Sequence, residues 1–227
     1  MSENIPPGEN RFLYPVALDI RGRPCLVVGG GAVGARKAAA LADAGAVVSL
    51  VSPELCADAL ILVNDEKAHH TAEPFTPAHL NDAFLVVVAT DNPAVNAEVA
   101  REARLRNILV NMAAPGDESD TDSGDFATMA TVRRGDLLLA VTTGGAGPAL
   151  SAQIRRELSA RFGEEWEPTV ALLSELRVAA KTGIPADPER RSTVLRRVAG
   201  MADHFAALYK NGDGETARKD AFSCLSR

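Results

Sequence analysis

Apolar residues in the first half of the chain come in short continuous runs, not in alternation with polar ones. Residues 24–28, 46–52, 83–90 and 108–113 are the clearest, led by "AFLVVVAT" at 83–90. Runs of this length, rich in β-branched residues, predict strands buried on both faces. The segments between them have a different period. Val33 to Ala44 reads as an Ala-rich helix closed by Gly45. "DNPAVNAEVAREARLRN" starts with a cap, supplied by Thr90 or Asp91, puts Pro93 near its first turn and continues at helical spacing. Residues 12–17 read as a short strand and "GRP" at 22–24 as a turn. "PELCADALILVNDE" reads as a helix in its first part, and "HHTAEPF" as a short strand with a turn. Strands alternating with helices predict an α/β fold whose parallel sheet is covered on both sides.

The pattern changes after residue 113. "APGDESDTDSGD" at 114–125 is acidic and turn-rich and reads as an exposed loop. "FATMATVRRGDLLLAVTT" reads as two strands joined at Arg134-Gly135-Asp136. "GGAGPALSAQIRRELSARF" is a glycine loop leading into a helix with Pro148 in its first turn. From Glu164 the chain reads as helices interrupted at "TGIPADPE", and the last fifteen residues or so are expected to fray.

Composition narrows the classes. The chain has 227 residues, 46% hydrophobic and 24% charged, as in a globular protein with a sizeable core. A net charge of −6 argues against broad nucleic-acid binding. No apolar run is long enough to span a bilayer, and the N-terminal stretch has no secretory pattern. Three widely spaced cysteines, Cys25, Cys56 and Cys224, suit reduced thiols in a cytoplasm better than a disulfide frame or zinc site.

The chemistry concentrates at glycines. Gly29-x-Gly31-x-x-Gly34 follows a strand and opens a helix, the context in which this spacing indicates dinucleotide binding. The first glycine makes the turn, the second admits a pyrophosphate, and the third lets helix pack on strand. The second strand ends at Ser52-Pro53 with Glu54 beyond, so the usual acid for the adenosine ribose is missing, and no Arg stands there for a 2′-phosphate. Ser52 or backbone groups are left to serve the ribose. Arg36-Lys37 is either a solvated helix face or a phosphate-steering pair. Thr90-Asp91 is either a plain helix cap or a cofactor contact at the carboxyl edge. Gly144, Gly145 and Gly147 are either a turn or an anion site at a helix start.

At these residues the chain resembles the precorrin-2 dehydrogenase module of siroheme synthases. The stretches that carry the resemblance are "YPVALDIRGRPCLVVGGGAVGARKAAALADAGAVVSLVSPEL", "AFLVVVATDNPAVNAEVAREAR", "VNMA" and "DFATMATVRRGDLLLAVTTGGAGPALSAQIRREL", over residues 14 to about 162. The resemblance implies a homodimer with a Rossmann domain at 1–113, a small β-containing dimerisation segment at 114–147 and a helical C-terminal domain at 148–227. It implies NAD as hydride acceptor, with Ala32, Val33, Pro53 and Glu54 at the family's cofactor-contacting positions; Gly29, Gly30, Gly31 and Gly34 join them by the glycine spacing, and Ser52 and Thr90 by their places at the strand ends. It implies conversion of precorrin-2 to sirohydrochlorin, with iron insertion in some members. A tetrapyrrole rich in carboxylates needs local cations and donors. Arg133, Arg134 and Arg155, with Arg156 beside them and Gly144 and Gly145 in the loop, are the candidates.

One departure stands out. The family places an Asp soon after "VN", where this chain has Ala113 or Ala114. Either Asp117, the nearest carboxylate in the acidic loop, replaces it as the catalytic acid, or the reaction relies on positioning against NAD, or the activity is lost. His69, His70, His79 and His204 have no metal-ligand spacing, so no metal site is expected. A non-catalytic tetrapyrrole or nucleotide carrier of the same fold is the competing reading.

Overall fold

The computed structural model describes residues 14–113, 124–144, 147–184 and 186–225. The chain divides into two compact units that meet between Thr128 and Met129.

The first unit is built on five strands: β1 (Pro24–Val28), β2 (Val47–Val51), β3 (His69–Thr71), β4 (Leu85–Val88) and β5 (Leu109–Met112). All pair in parallel, in the order β3-β2-β1-β4-β5. Three helices connect them: α1 (Ala32–Asp43), α2 (Ala57–Asn64) and α3 (Pro93–Leu105). A short 3-10 turn at Pro77–Leu80 lies between β3 and β4. Successive strand residues face opposite sides, and here both sides are covered. Val27, Leu50 and Val87 pack in one core with Ala35, Ala38, Ala59 and Leu62 of α1 and α2. Leu26, Val28, Val86, Val88 and Val110 pack in a second with Val99, Ala100 and Ala103 of α3. Two buried faces explain the continuous apolar runs. Burying one such Val or Leu contributes roughly 1.5–3 kcal/mol, so the sheet is the main stabilising element of this unit.

The strand order reverses between β1 and β4. In open parallel sheets a crevice forms at that point, outside the carboxyl ends of the strands. The outer edge of β5 is covered by the chain itself. Gly124 bridges Asn111 in antiparallel fashion. Asp125 N–H donates to the Val110 carbonyl (2.7 Å), and its carboxylate accepts from the Val110 N–H (3.0 Å). Asn111 Nδ2 donates to the Phe126 carbonyl at 2.8 Å. Gly124 has φ +81, and a Cβ there would stand 2.9 Å from the Val110 carbonyl carbon, so this crossing needs glycine.

The second unit starts with an antiparallel pair, β6 (Ala130–Arg134) and β7 (Leu137–Val141), turning at Gly135 with φ +55. Among the described residues five helices follow: α4 (Pro148–Arg161), α5 (Trp166–Gly183), α6 (Pro188–Gly200), α7 (Ala202–Lys210) and α8 (Gly214–Ser223). Leu172, Leu176, Val194, Val198, Phe205, Ala217 and Ala221 form its core. Among the described residues, no helix is long and apolar enough to cross a membrane.

Three local expectations change. Residues 14–17 form no strand; Tyr14 and Val16 are exposed and pair with nothing in the sheet. The helix expected early in "PELCADALILVNDE" begins only at Ala57. The residues before it run past the glycine loop, with Cys56 N–H donating to the Gly30 carbonyl at 2.8 Å. The last fifteen residues do not fray as far as Leu225. Asp213 caps α8 through the Thr216 N–H (3.1 Å), and Ala217, Ala221 and Cys224 enter the core at helical spacing.

Candidate functional site

The β1–α1 turn is a chain of glycines with separate jobs. Gly29 has φ +118, and a Cβ there would stand 2.6 Å from the Ala89 carbonyl carbon. At Gly30 a Cβ would overlap the Glu54 carbonyl oxygen and approach Leu55 Cδ2 to 2.7 Å. At Gly34 it would overlap the Gly29 carbonyl. These three positions are closed by the protein's own backbone. A Cβ at Gly31 would meet nothing within 4 Å and would project into open space. Gly29 thus makes the turn and Gly34 the close helix–strand packing, while the space at Gly31 is open. The reason for Gly30, the close passage of residues 54–55, is not written in the motif.

Gly31 is the N-cap of α1, with extended backbone (φ −77, ψ −178) and no side-chain cap. The first turn of α1 holds no acidic residue. The first N–H groups of a helix have no intrahelical acceptor and carry a partial positive charge. Ala32 and Val33 therefore present donors suited to an anion beside the open face of Gly31.

A groove of about 520 Å³ runs along this edge. Gly29, Gly30, Gly31, Ala32 and Val33 form its floor, Ser52 and Pro53 lie after β2, and Ala89 and Thr90 after β4. Ala113 lies at its β5 side and Pro74 and Phe75 at its β3 side. The cradle fits a dinucleotide: open space at Gly31, free donors at the α1 start, and apolar walls for planar rings. Of the residues expected to hold the cofactor, two do not line the groove. Gly34 is buried in the helix–strand contact, and Glu54 meets Gly30 through its carbonyl.

Thr90 lines the groove, but neither it nor Asp91 caps α3. Asn92 does so, its side chain accepting from the Ala94 (3.0 Å) and Val95 (3.3 Å) N–H groups. Thr90 instead fixes the loop: its hydroxyl donates to Asn96 Oδ1 at 2.5 Å, and Asn96 Nδ2 returns a bond to the Thr90 carbonyl at 3.0 Å. His70 Nε2 meets the Ser52 carbonyl at 2.9 Å and steadies the β2 end. The sequence reading missed Pro74, Phe75 and His70. The one signal for Phe75 was an aromatic four residues past the end of β3 in a chain with 4% aromatics.

Three polar groups near the sheet have other duties. Arg36 is exposed, and Lys37 is half-buried with its amine donating to Thr128 Oγ1 at 2.5 Å. Neither lines the groove. Burial, helped by the Arg36 charge, holds the Lys37 amine below the ordinary lysine range. Burial also pushes the Cys25 thiol up to about 11, so it is a core group and not a reactive one. Asp125 is engaged by Val110 and by Arg104 (3.5 Å), a structural use. Asp117, the expected catalytic carboxylate, lies outside the described residues, as do Ala114 and Gly145.

In the second unit, Arg133 and Arg155 are exposed. Arg134 is tied inward. Its Nη1 donates to the Arg133 carbonyl (2.8 Å), its Nη2 to Ser159 Oγ (3.1 Å), and Glu164 stands 3.3 Å from its Nε. Gly144 has φ +64, and its N–H donates to Thr142 Oγ1 at 3.2 Å. Thr143 Oγ1 donates to the Gly147 carbonyl (3.2 Å) and meets Ser151 Oγ at 3.0 Å, locking the start of α4.

Comparison with known proteins agrees with this geometry. Residues 16–128 match a family model described as NAD(P)-binding, and residues 134–161 match one described as the central part of sirohaem biosynthesis proteins. The siroheme synthase of Methylobacillus flagellatus is 38% identical over 180 residues, covering 78% of this chain and 37% of that protein. That of Nitrosospira multiformis is 37% identical over 208 residues, covering 90% of this chain and 42% of that protein. The chain thus spans about two fifths of the curated relatives it matches. A solved structure, SirC, precorrin-2 dehydrogenase, superposes with a TM-score of 0.73 at 27% identity, covering 94% of this chain and 99% of that one. Fold, glycine cradle and both family matches converge: the chain belongs to the siroheme synthase and precorrin-2 dehydrogenase family.

Proposed function

We propose that this chain catalyses the NAD-dependent dehydrogenation of precorrin-2 to sirohydrochlorin in siroheme biosynthesis. The observation that carries the reading is the glycine cradle, closed by backbone at Gly29, Gly30 and Gly34 and open at Gly31 beside the start of α1. In a chain with this family membership, that cradle is the dinucleotide half of the reaction. The nicotinamide supplies a hydride acceptor when bound. Gly31, Ala32 and Val33 hold the pyrophosphate, and Thr90, fixed by Asn96, shapes the groove beyond β4. The choice of NAD over NADP rests on the β2 end, where Ser52 and Pro53 line the groove and no cation from that end joins them among the described residues.

The second unit supplies the cations for the substrate's carboxylates. Arg133 and Arg155 are exposed for that purpose, and Gly144 shapes the loop before α4. Arg134 contributes by holding β6 to α4 through Ser159. Asp117 is assigned the proton that leaves with the hydride. The working unit is a homodimer, because a two-stranded sheet such as β6–β7 is marginal alone and Leu138 on it is exposed. Free thiols at Cys25, Cys56 and Cys224 fit a cytoplasmic setting.

The test mixes the protein with precorrin-2 and NAD and follows NADH absorbance. NADH formed in step with sirohydrochlorin supports the reading. One observation favours the alternative, a non-catalytic carrier: Ala113 lines the groove near where the family carries its acid. Tight binding of tetrapyrrole and NAD with no NADH formed would select the carrier. NADP used as readily as NAD would overturn the cofactor assignment alone.

A further inference from the structure

The groove wall on the β3 side is held by a histidine with no part in the cradle. After β3 the chain runs Glu73-Pro74-Phe75-Thr76 into the 3-10 turn that carries His79. The Thr76 N–H donates to His79 Nδ1 at 2.9 Å. A backbone amide can only donate, so Nδ1 is the acceptor and the ring proton sits on Nε2. Nε2 then donates to Glu73 Oε1 at 2.7 Å. The His79 N–H also donates to the Thr76 carbonyl at 3.0 Å. The His79 side chain is only 14% exposed, and its ring lies 6.1 Å from that of Phe75. Leu80, next in the chain, is buried and anchors the turn in the core. One imidazole thus ties both ends of the Glu73–Thr76 segment, and the two residues between them, Pro74 and Phe75, line the groove.

We propose that His79 is a positioning residue for dinucleotide binding, holding Pro74 and Phe75 as the wall of the adenosine end. The proposal rests on the reading of the groove as the NAD site. The strand order locates that end. β3 and β2 lie on one side of the reversal between β1 and β4, and in this fold the adenosine ribose sits at the end of β2. A wall fixed before binding spares the ligand the ordering of a Pro-Phe loop, which strengthens binding without adding a contact.

Isothermal titration of NADH, ADP-ribose and nicotinamide mononucleotide to wild type, His79→Leu, His79→Gln and Glu73→Ala tests this. Leu keeps bulk and loses both hydrogen bonds. Gln offers a carbonyl oxygen to Thr76 and an amide to Glu73, and it is a normal residue at this place in a capping box. His79→Leu is expected to weaken NADH and ADP-ribose by about five- to tenfold, the mononucleotide unchanged, and His79→Gln to return within about twofold of wild type. Wild-type ADP-ribose affinity in folded His79→Leu would overturn the proposal. Equal weakening of both fragments would also overturn it, since that marks general loosening. If His79→Leu does not fold, Glu73→Ala, altered at an exposed side chain, carries the same comparison. Failure of the wild type to bind NADH or ADP-ribose would instead overturn the reading of the groove.

Discussion

Replacing Gly31 and Gly34 one at a time separates ligand approach from packing in the cradle. In Gly34→Ala the new Cβ stands 3.0 Å from the Gly29 carbonyl carbon, closer still to its oxygen, and 3.7 Å from Val27 Cγ1. Carbon contacts relax near 3.5–4.0 Å, so α1 must lift off β1 by roughly half an ångström or more, loosening Ala35 and Ala38. Overpacking of this kind costs about 1–3 kcal/mol. For a chain of this size each kcal/mol is worth about 2–4 °C, so Tm falls by roughly 2–12 °C. Gly31 differs. Its φ of −77 suits any residue and its Cβ direction is empty. Loss of a glycine N-cap and gain from a stiffer unfolded chain roughly cancel, within about 1 kcal/mol. Gly31→Val should therefore melt within about 4 °C of wild type. Its side chain fills the space for the pyrophosphate, so NADH affinity should drop by about tenfold or more, equivalent to roughly 1.4 kcal/mol. Differential scanning calorimetry and fluorescence titration with NADH read the two effects. A folded Gly31→Val that binds NADH like wild type, or a Gly34→Ala that melts like wild type, would refute the division of labour.

Asp125→Ala should lower stability by about 1–3 kcal/mol, since it leaves the Val110 N–H without its acceptor, while turnover below the melting range stays at wild type; a wild-type Tm would count against the edge-capping role. Lys37→Met should raise stability at neutral pH. The folded amine has a pKa below its unfolded value near 10.5, so burial of the charged form costs most at low pH and the cost vanishes as pH rises through that value. The gain over wild type should therefore shrink as pH approaches 10.5, and a pH-independent difference in urea midpoints would reject this account. Asp117→Ala should reduce precorrin-2 turnover by on the order of a hundredfold with NAD saturating, and an unchanged rate would remove Asp117 from the proton step. Light scattering at micromolar protein should report a dimer, and a monomer would count against pairing through β6–β7.

The sheet was legible because burial on both faces leaves a simple mark, an unbroken apolar run, and because Gly29, Gly31 and Gly34 have a spacing tied to one geometry. What escaped the reading was set by residues distant in sequence. Residues 53–56 have no helix because they pass against Gly30, and no local propensity encodes that contact. Phe75 reaches the groove only because the strand order brings the end of β3 beside β2. Arg134 looked like a carboxylate ligand by charge alone, and its link to Ser159, twenty-five residues on, gives it a packing role. α8 was misjudged because polar residues outnumber the apolar ones, although Ala217, Ala221 and Cys224 kept a helical stripe.

The short crossing of residues 124–126 over β5 also bears on solubility. A strand at the border of a sheet offers unused amides and carbonyls to any passing chain, and this invites aggregation. Here the middle of that border is already taken, with the Val110 amide and carbonyl both bonded to Asp125. The opposite border is β3, three residues long, too short to template much growth. A sheet guarded in this way can stay open at its carboxyl end for a ligand without becoming adhesive along its sides. Breaking the guard at Gly124, where φ is +81, would be expected to show first as lost yield on concentration, before any change at the groove.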